Sequence, residues 1–162
     1  MFDFLRQEGL KSSDRVLHLG RVSVAVTELW CAFLEEHHFV RIANESAVHG
    51  LGDETDPFDV AVADSLFPFR PFNTVARFIA SVVRRLTPTG RFYATWFENP
   101  DPSNFYPIFR PGGITTFPDS EPYHYPFDLI GSVCDAVGAT VERVPHPGHP
   151  LGESLLLFSR KR

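Results

Sequence analysis

The sequence predicts an α/β domain built on a mostly parallel sheet and finished at one edge by an antiparallel hairpin. Three observations lead there. Short β-rich runs alternate with helical runs of about 10–15 residues, the pattern of crossover units in a sheet covered on both faces. All 14 prolines lie at or beyond Pro57, so the first third alternates compactly and the rest carries long, turn-rich connections. The last two strand-like runs have no helical run between them, which suits an antiparallel pair.

Phe2 to Glu8 reads as a short helix ended by Gly9. Arg15 to Leu19 is a buried strand that stops at Gly20. Val22 to Glu36 is apolar nearly all round (Val24, Val26, Leu29, Trp30, Phe33, Leu34), which predicts a deeply buried helix. Phe39 to Ala43 and Phe58 to Ala63 are the next two strands. Asn73 is a suitable N-cap for a helix whose apolar positions Val75, Ile79, Val82, Val83 and Leu86 form one face, ended by Pro88 and Gly90. Arg91 to Phe97 is a strand, followed by an irregular stretch from Asn99 to Pro126. Asp128 to Val137 is a helix closed by Gly138, and Thr140 to Val144 and Ser154 to Ser159 form the final hairpin.

The chain has 162 residues, 43% of them hydrophobic, with a net charge of −5, and residues 1–162 read as one ordinary globular domain. No apolar run approaches the roughly 18 residues needed to span a membrane. The first residues lack a basic segment followed by an apolar one, so no signal peptide is expected and a cytoplasmic location is. Cys31 and Cys134 show no metal or redox spacing and are expected to be reduced core residues. His124, His146 and His149 match no compact ligand motif, so no metal is expected. Beyond the Arg160-Lys161-Arg162 tail there is no basic cluster, which argues against nucleic acid as a partner.

Phe58-Asp-Val-Ala-Val-Ala-Asp-Ser-Leu-Phe67 and Arg85-Leu-Thr-Pro-Thr-Gly-Arg-Phe-Tyr-Ala-Thr-Trp-Phe-Glu98 resemble the fourth and fifth strands of class I S-adenosylmethionine-dependent methyltransferases. Pro122 to Phe127 and His149 to Gly152 are similar to a bacterial branch often associated with small-molecule or sugar tailoring. The resemblance implies a Rossmann-like sheet of order 3-2-1-4-5-7-6. It also implies a divergent member. Ala43 and Phe58 are too close in sequence to hold the family's third strand and the helix before it, so that edge strand and helix are expected to be missing.

The resemblance places the cofactor cradle at Leu17-His18-Leu19-Gly20-Arg21-Val22. The family has an acid and a glycine-rich turn there. Here His18 stands at the acid, Val22 at the second glycine, and only Gly20 remains. At the end of the second strand, Ala43 replaces the acid that grips the ribose, with Asn44 and Glu45 the nearest polar substitutes. No cofactor is therefore expected, S-adenosylmethionine being the alternative. On the acceptor side, Asp64, Glu98 and His149 are candidate acid–base groups, and Ser65, Trp96, Tyr123, His124 and Tyr125 are candidate pocket residues. Trp96 and Tyr123 to Tyr125 are expected to line one cavity with Asp64 or Glu98 at its base. The competing reading has Asp64 capping a turn, Glu98 solvated and the Tyr/His loop packed on itself.

Three functions stay open. One is a degenerate methyltransferase-like protein acting as a binding or partner subunit, a small molecule being one candidate ligand. Another is a genuine methyltransferase with an atypical cofactor site. The third is a cofactor-independent acid–base enzyme. Loss of the third strand makes Phe39 to Ala43 an apolar edge, which predicts a homodimer or a protein partner there.

Overall fold

Val16, Leu17, Val60, Ala61 and Val62 are each at most 1% exposed, because β-branched and small apolar side chains occupy both faces of two neighbouring strands. The structure is a computed structural model and describes residues 1–20, 22–42, 56–145 and 149–161. Helix α1 (Phe2–Gln7) leads to strand β1 (Val16–Leu19), helix α2 (Val24–Phe33), β2 (Phe39–Ile42) and β3 (Phe58–Ala63). A 3-10 turn at Phe67–Phe69 precedes α3 (Phe72–Arg85) and β4 (Leu86–Trp96). Four two-residue strands follow, β5 (Glu98–Asn99), β6 (Ile108–Phe109), β7 (Thr115–Thr116) and β8 (Tyr125–Pro126). Helix α4 (Phe127–Val137), β9 (Ala139–Val144) and β10 (Ser154–Arg160) complete the chain order.

The main sheet runs β2-β1-β3-β4-β10-β9. The pairs β1–β2, β1–β3 and β3–β4 are parallel, while β10 is antiparallel to both β4 and β9. This is the expected family order without its third strand, and among the described residues β2 is an end strand. The segment 43–55, which connects β2 to β3 and includes Ala43 and Asn44, lies outside the described residues.

Side-chain alternation gives each face its own core. Leu17, Ala61, Ala63, Phe92, Ala94, Trp96, Leu156 and Phe158 face α3 and α4. Val16, Val60, Val62, Tyr93 and Leu155 face the other way, toward Phe4 and Leu5 of α1 and Trp30 of α2. Trp30 stacks on Phe39 with ring centroids 5.7 Å apart and meets Phe2 edge-on at 4.8 Å.

Several expectations need correcting. Helix α2 is short, and only Trp30 within it is buried; Val24 is 74% and Leu29 45% exposed. A helix laid on one face of a sheet buries one stripe, and an all-round apolar sequence does not say that the remainder is covered. For the same reason Cys31 is exposed, whereas Cys134 is buried and its thiol is pushed up to about 12 by burial. Helix α3 starts after Pro71, whose carbonyl accepts from the Thr74 and Val75 amides, rather than at Asn73. It ends at Arg85, where the Arg160 guanidinium caps the carbonyls of Val83 and Arg84. Pro88 and Gly90 lie instead in β4, in a bulge between the Phe58–Leu86 and Val60–Arg91 pairs. The stretch expected to be irregular holds two small sheets, β5–β8 parallel and β6–β7 antiparallel. Gly138 does close α4, at φ 71°.

Among the described residues no helix is long and apolar enough to cross a membrane.

Candidate functional site

By alternation, His18, Asp64, Thr95 and Glu153 all point to the face that carries α1 and α2, at the carboxyl ends of the parallel strands. In doubly wound sheets that end is the ligand crevice. β4 lies between β3 and β10, so Thr95 near the end of β4 sits between Asp64 after β3 and Glu153 before β10. The Thr95 hydroxyl accepts from the Ser65 amide at 2.6 Å and donates to Asp64 Oδ1 at 3.4 Å. Ser65 holds φ at 48°, a left-handed conformation that turns its hydroxyl back toward β10. That hydroxyl donates to Glu153 Oε1 at 2.9 Å and lies 3.5 Å from His149 Nε2.

His149 joins the group from the loop before β10. Its Nε2 is 3.8 Å from Asp64 Oδ1 and its Nδ1 4.0 Å from Glu153 Oε1. The Leu151 amide donates to Nδ1 at 3.3 Å, which in the neutral ring leaves the proton on Nε2. Glu153 has a side chain 0% exposed, and burial raises its carboxyl above the ordinary range, against the opposing pull of Thr95, His149 and Ser65. Its Oε2 meets no hydrogen-bond donor among the described residues.

Of the candidate residues, the structure brings together Asp64, Ser65 and His149. Glu98 is elsewhere. It forms an ion pair with Arg143, 2.6 Å from Nη2 to Oε1, and the same guanidinium stands 3.7 Å over the Phe127 ring. Glu98 is therefore held in a partly exposed ion pair and is not among the groups bonded to Asp64. Trp96 lies on the opposite sheet face from Thr95, fully buried and 6.4 Å from Phe127. Tyr123 and Tyr125 stack at 5.9 Å beside the same core, and the buried Tyr125 hydroxyl donates to the Arg70 carbonyl. His124 turns away from both tyrosines and binds Thr116 Oγ1 at 2.8 Å, with burial lowering its basicity. Trp96, Tyr123 and Tyr125 share one buried core, but His124 is held by Thr116, and Asp64 bonds to Thr95 on the other face of the sheet, so the expected cavity of all these residues over Asp64 or Glu98 is not assembled.

Sequence reasoning missed Glu153 and Thr95. Glu153 is a lone acid between Gly152 and Ser154, with no motif around it. Thr95 was legible, since a period of two puts it opposite Trp96 and beside the end of β3.

Where the resemblance puts the cofactor, His18 is 3% exposed, and its pKa is lowered to about 4, chiefly by burial and against the pull of Asp64. Its Nδ1 has no partner among the described residues. Gly20 keeps the left-handed φ of 98°, and a Cβ there would meet Leu66 Cδ1 at 3.5 Å. Arg21, Asn44 and His146 lie outside the described residues. No metal-holding group of three or more ligands occurs among the described residues.

The strand order, with an antiparallel strand inserted beside a parallel set, defines the class I methyltransferase fold. Among solved structures of that fold, the chain is similar to the CcbJ methyltransferase from Streptomyces caelestis, with a TM-score of 0.62 at 11% identity, over 98% of this chain and 88% of that one. It is also similar to magnesium protoporphyrin IX methyltransferase from Synechocystis PCC 6803 with bound S-adenosylhomocysteine, with a TM-score of 0.61 at 11% identity, over 99% of this chain and 80% of that one. A 1,6-didemethyltoxoflavin-N1-methyltransferase from Burkholderia thailandensis aligns at 18% identity and a TM-score of 0.57, over 99% of this chain and 65% of that one. Compared by sequence, the chain matches no family model and no curated protein.

Proposed function

We propose that this chain is a methyltransferase-fold protein that has given up S-adenosylmethionine and works as a binding or partner subunit. The observation that carries this reading is the chemistry of residue 18. The fold's cradle needs an anion there, and a buried imidazole with its basicity lowered to about 4 is neutral at physiological pH. A neutral ring offers none of the charge-assisted acceptance that a carboxylate gives, worth about 1.5–3 kcal/mol. The neutral His18 is what speaks against the cofactor on this reading.

Isothermal titration with S-adenosylmethionine and S-adenosylhomocysteine tests the reading. No binding below about millimolar concentration is expected, since the lost acids and glycine together remove several kcal/mol. Micromolar affinity for either compound overturns it. That result favours a genuine small-molecule methyltransferase, the reading that the intact fold and the left-handed Gly20 support.

A further inference from the structure

A buried carboxyl with an unmet oxygen is costly to keep, because a group of that kind loses its hydration without replacement. Glu153 is such a group. Its side chain is 0% exposed, Oε1 is met by the Ser65 hydroxyl, and Oε2 has no donor among the described residues. A second carboxyl, Asp64, reaches the same group of side chains from the adjoining turn. Among the described residues, the charged groups that act on Glu153 are His149 and Asp64, with no Lys or Arg beside them. His149 stands 3.8 and 4.0 Å from the two carboxyls, too far for a short ionic hydrogen bond, and its Nδ1 is already occupied by the Leu151 amide. The cluster is thus rich in acceptors and poor in positive charge.

We propose that Asp64 and Glu153, with Ser65 and Thr95 between them and His149 alongside, form a binding site for the ammonium group of a small amine. The assignment rests on the reading above, that S-adenosylmethionine is not the ligand of this crevice. An ammonium has three donors and no acceptor, which matches Glu153 Oε2, an Asp64 oxygen and the Thr95 hydroxyl. A carboxylate or phosphate meets like charge here, and a neutral hydroxyl supplies one donor where several acceptors converge. Asp64, 36% exposed along its side chain, marks the side of the cluster that meets solvent. An amine on an unbranched chain enters there.

The test uses n-butylammonium, with n-butanol and butyrate as probes of equal chain length, and reads the melting temperature at fixed ionic strength. A saturable rise with n-butylammonium alone is expected. Glu153→Gln is expected to weaken that response at least about tenfold. Without ligand, the Glu153→Gln protein is expected to melt no lower than the parent, because the amide oxygen still accepts from Ser65 and no buried carboxyl remains. Should that variant fold poorly, Asp64→Asn carries the same expectation of weakened response. An equal rise with n-butanol or butyrate overturns the proposal, as does an unchanged response in a folded variant. A saturable rise with magnesium chloride and none with the amine also overturns it, assigning the carboxyls to a metal. Titration of S-adenosylmethionine into both proteins separates the two readings. Micromolar binding that Glu153→Gln leaves intact defeats the proposed loss of cofactor and leaves the amine result to stand or fall by itself.

Discussion

At the scale of single residues, His18 and Glu153 set opposite slopes on stability. His18 has its pKa lowered from 6.5 to about 4 by burial, with Asp64 opposing the shift and Arg41 adding to it. A base depressed in the folded state contributes stability that is present above its unfolded value and is lost as pH falls through the folded one. The protein is therefore expected to lose roughly 3 kcal/mol between about pH 6.5 and 4 from this residue. Glu153 is an acid raised in the folded state, so its protonation on acidification works the other way. Replacing His18 with Gln is expected to flatten the acid limb of a urea-denaturation series across that window. An unaltered slope contradicts a neutral buried His18. The substitution of the family's acid by His18 was legible in the sequence; that the ring is buried and uncharged was not, because burial depends on Phe39 and on neighbours brought by the fold.

At the scale of elements, the segment from Glu98 to Pro126 holds the His149 loop in place. Gly112, between β6 and β7, packs so closely on that loop that a Cβ would come within 2.8 Å of Leu151 Cα and 2.9 Å of the Pro150 carbonyl. Both obstacles are backbone, so neither yields as a flexible side chain does. Gly112→Ala is expected to displace residues 149–152 while leaving the main sheet intact. Near-native far-ultraviolet circular dichroism with altered His149 ring resonances by NMR is the predicted result, with stability lowered by about 1–3 kcal/mol. Unchanged His149 resonances contradict the clamp. The elements themselves were legible where periodicity and punctuation agreed, as in β3 and the Gly138 end of α4, whereas for α3 the apolar face was legible and both ends were not. The Glu98–Pro126 segment was not. Its seven prolines, from Pro100 to Pro126, erase periodicity, and its two small sheets depend on long-range pairing that no local pattern announces.

At the scale of the whole molecule, α2 leaves Val26 and Leu29, three residues apart on one side of the helix, exposed to solvent. The expected edge of Phe39, Val40 and Ile42 is partly buried, so this helical side, more than the strand, is the apolar surface. Exposed apolar side chains paired on one side of a helix are candidates for an interface. Light scattering at micromolar concentration is expected to return a mass above the 18.3 kDa of one chain, and Leu29→Lys to return it to that value. A monomer mass in the unsubstituted protein rules the association out.

The placement of β10 also governs how a growing chain acquires this shape. β10 is the last strand in chain order, yet it lies between β4 and β9. A ribosome-bound chain extended only to Val144 therefore has two strands waiting on either side of a gap, each with an unmatched backbone edge. The register from Ser154 to Phe158 with β4 and from Leu155 to Arg160 with β9 forms only when the missing piece arrives, and Glu153 arrives with it. Joining of β9 to the rest of the sheet and completion of the Asp64 cluster are thus one late event. The unfinished intermediate is the state most exposed to mispairing with other chains.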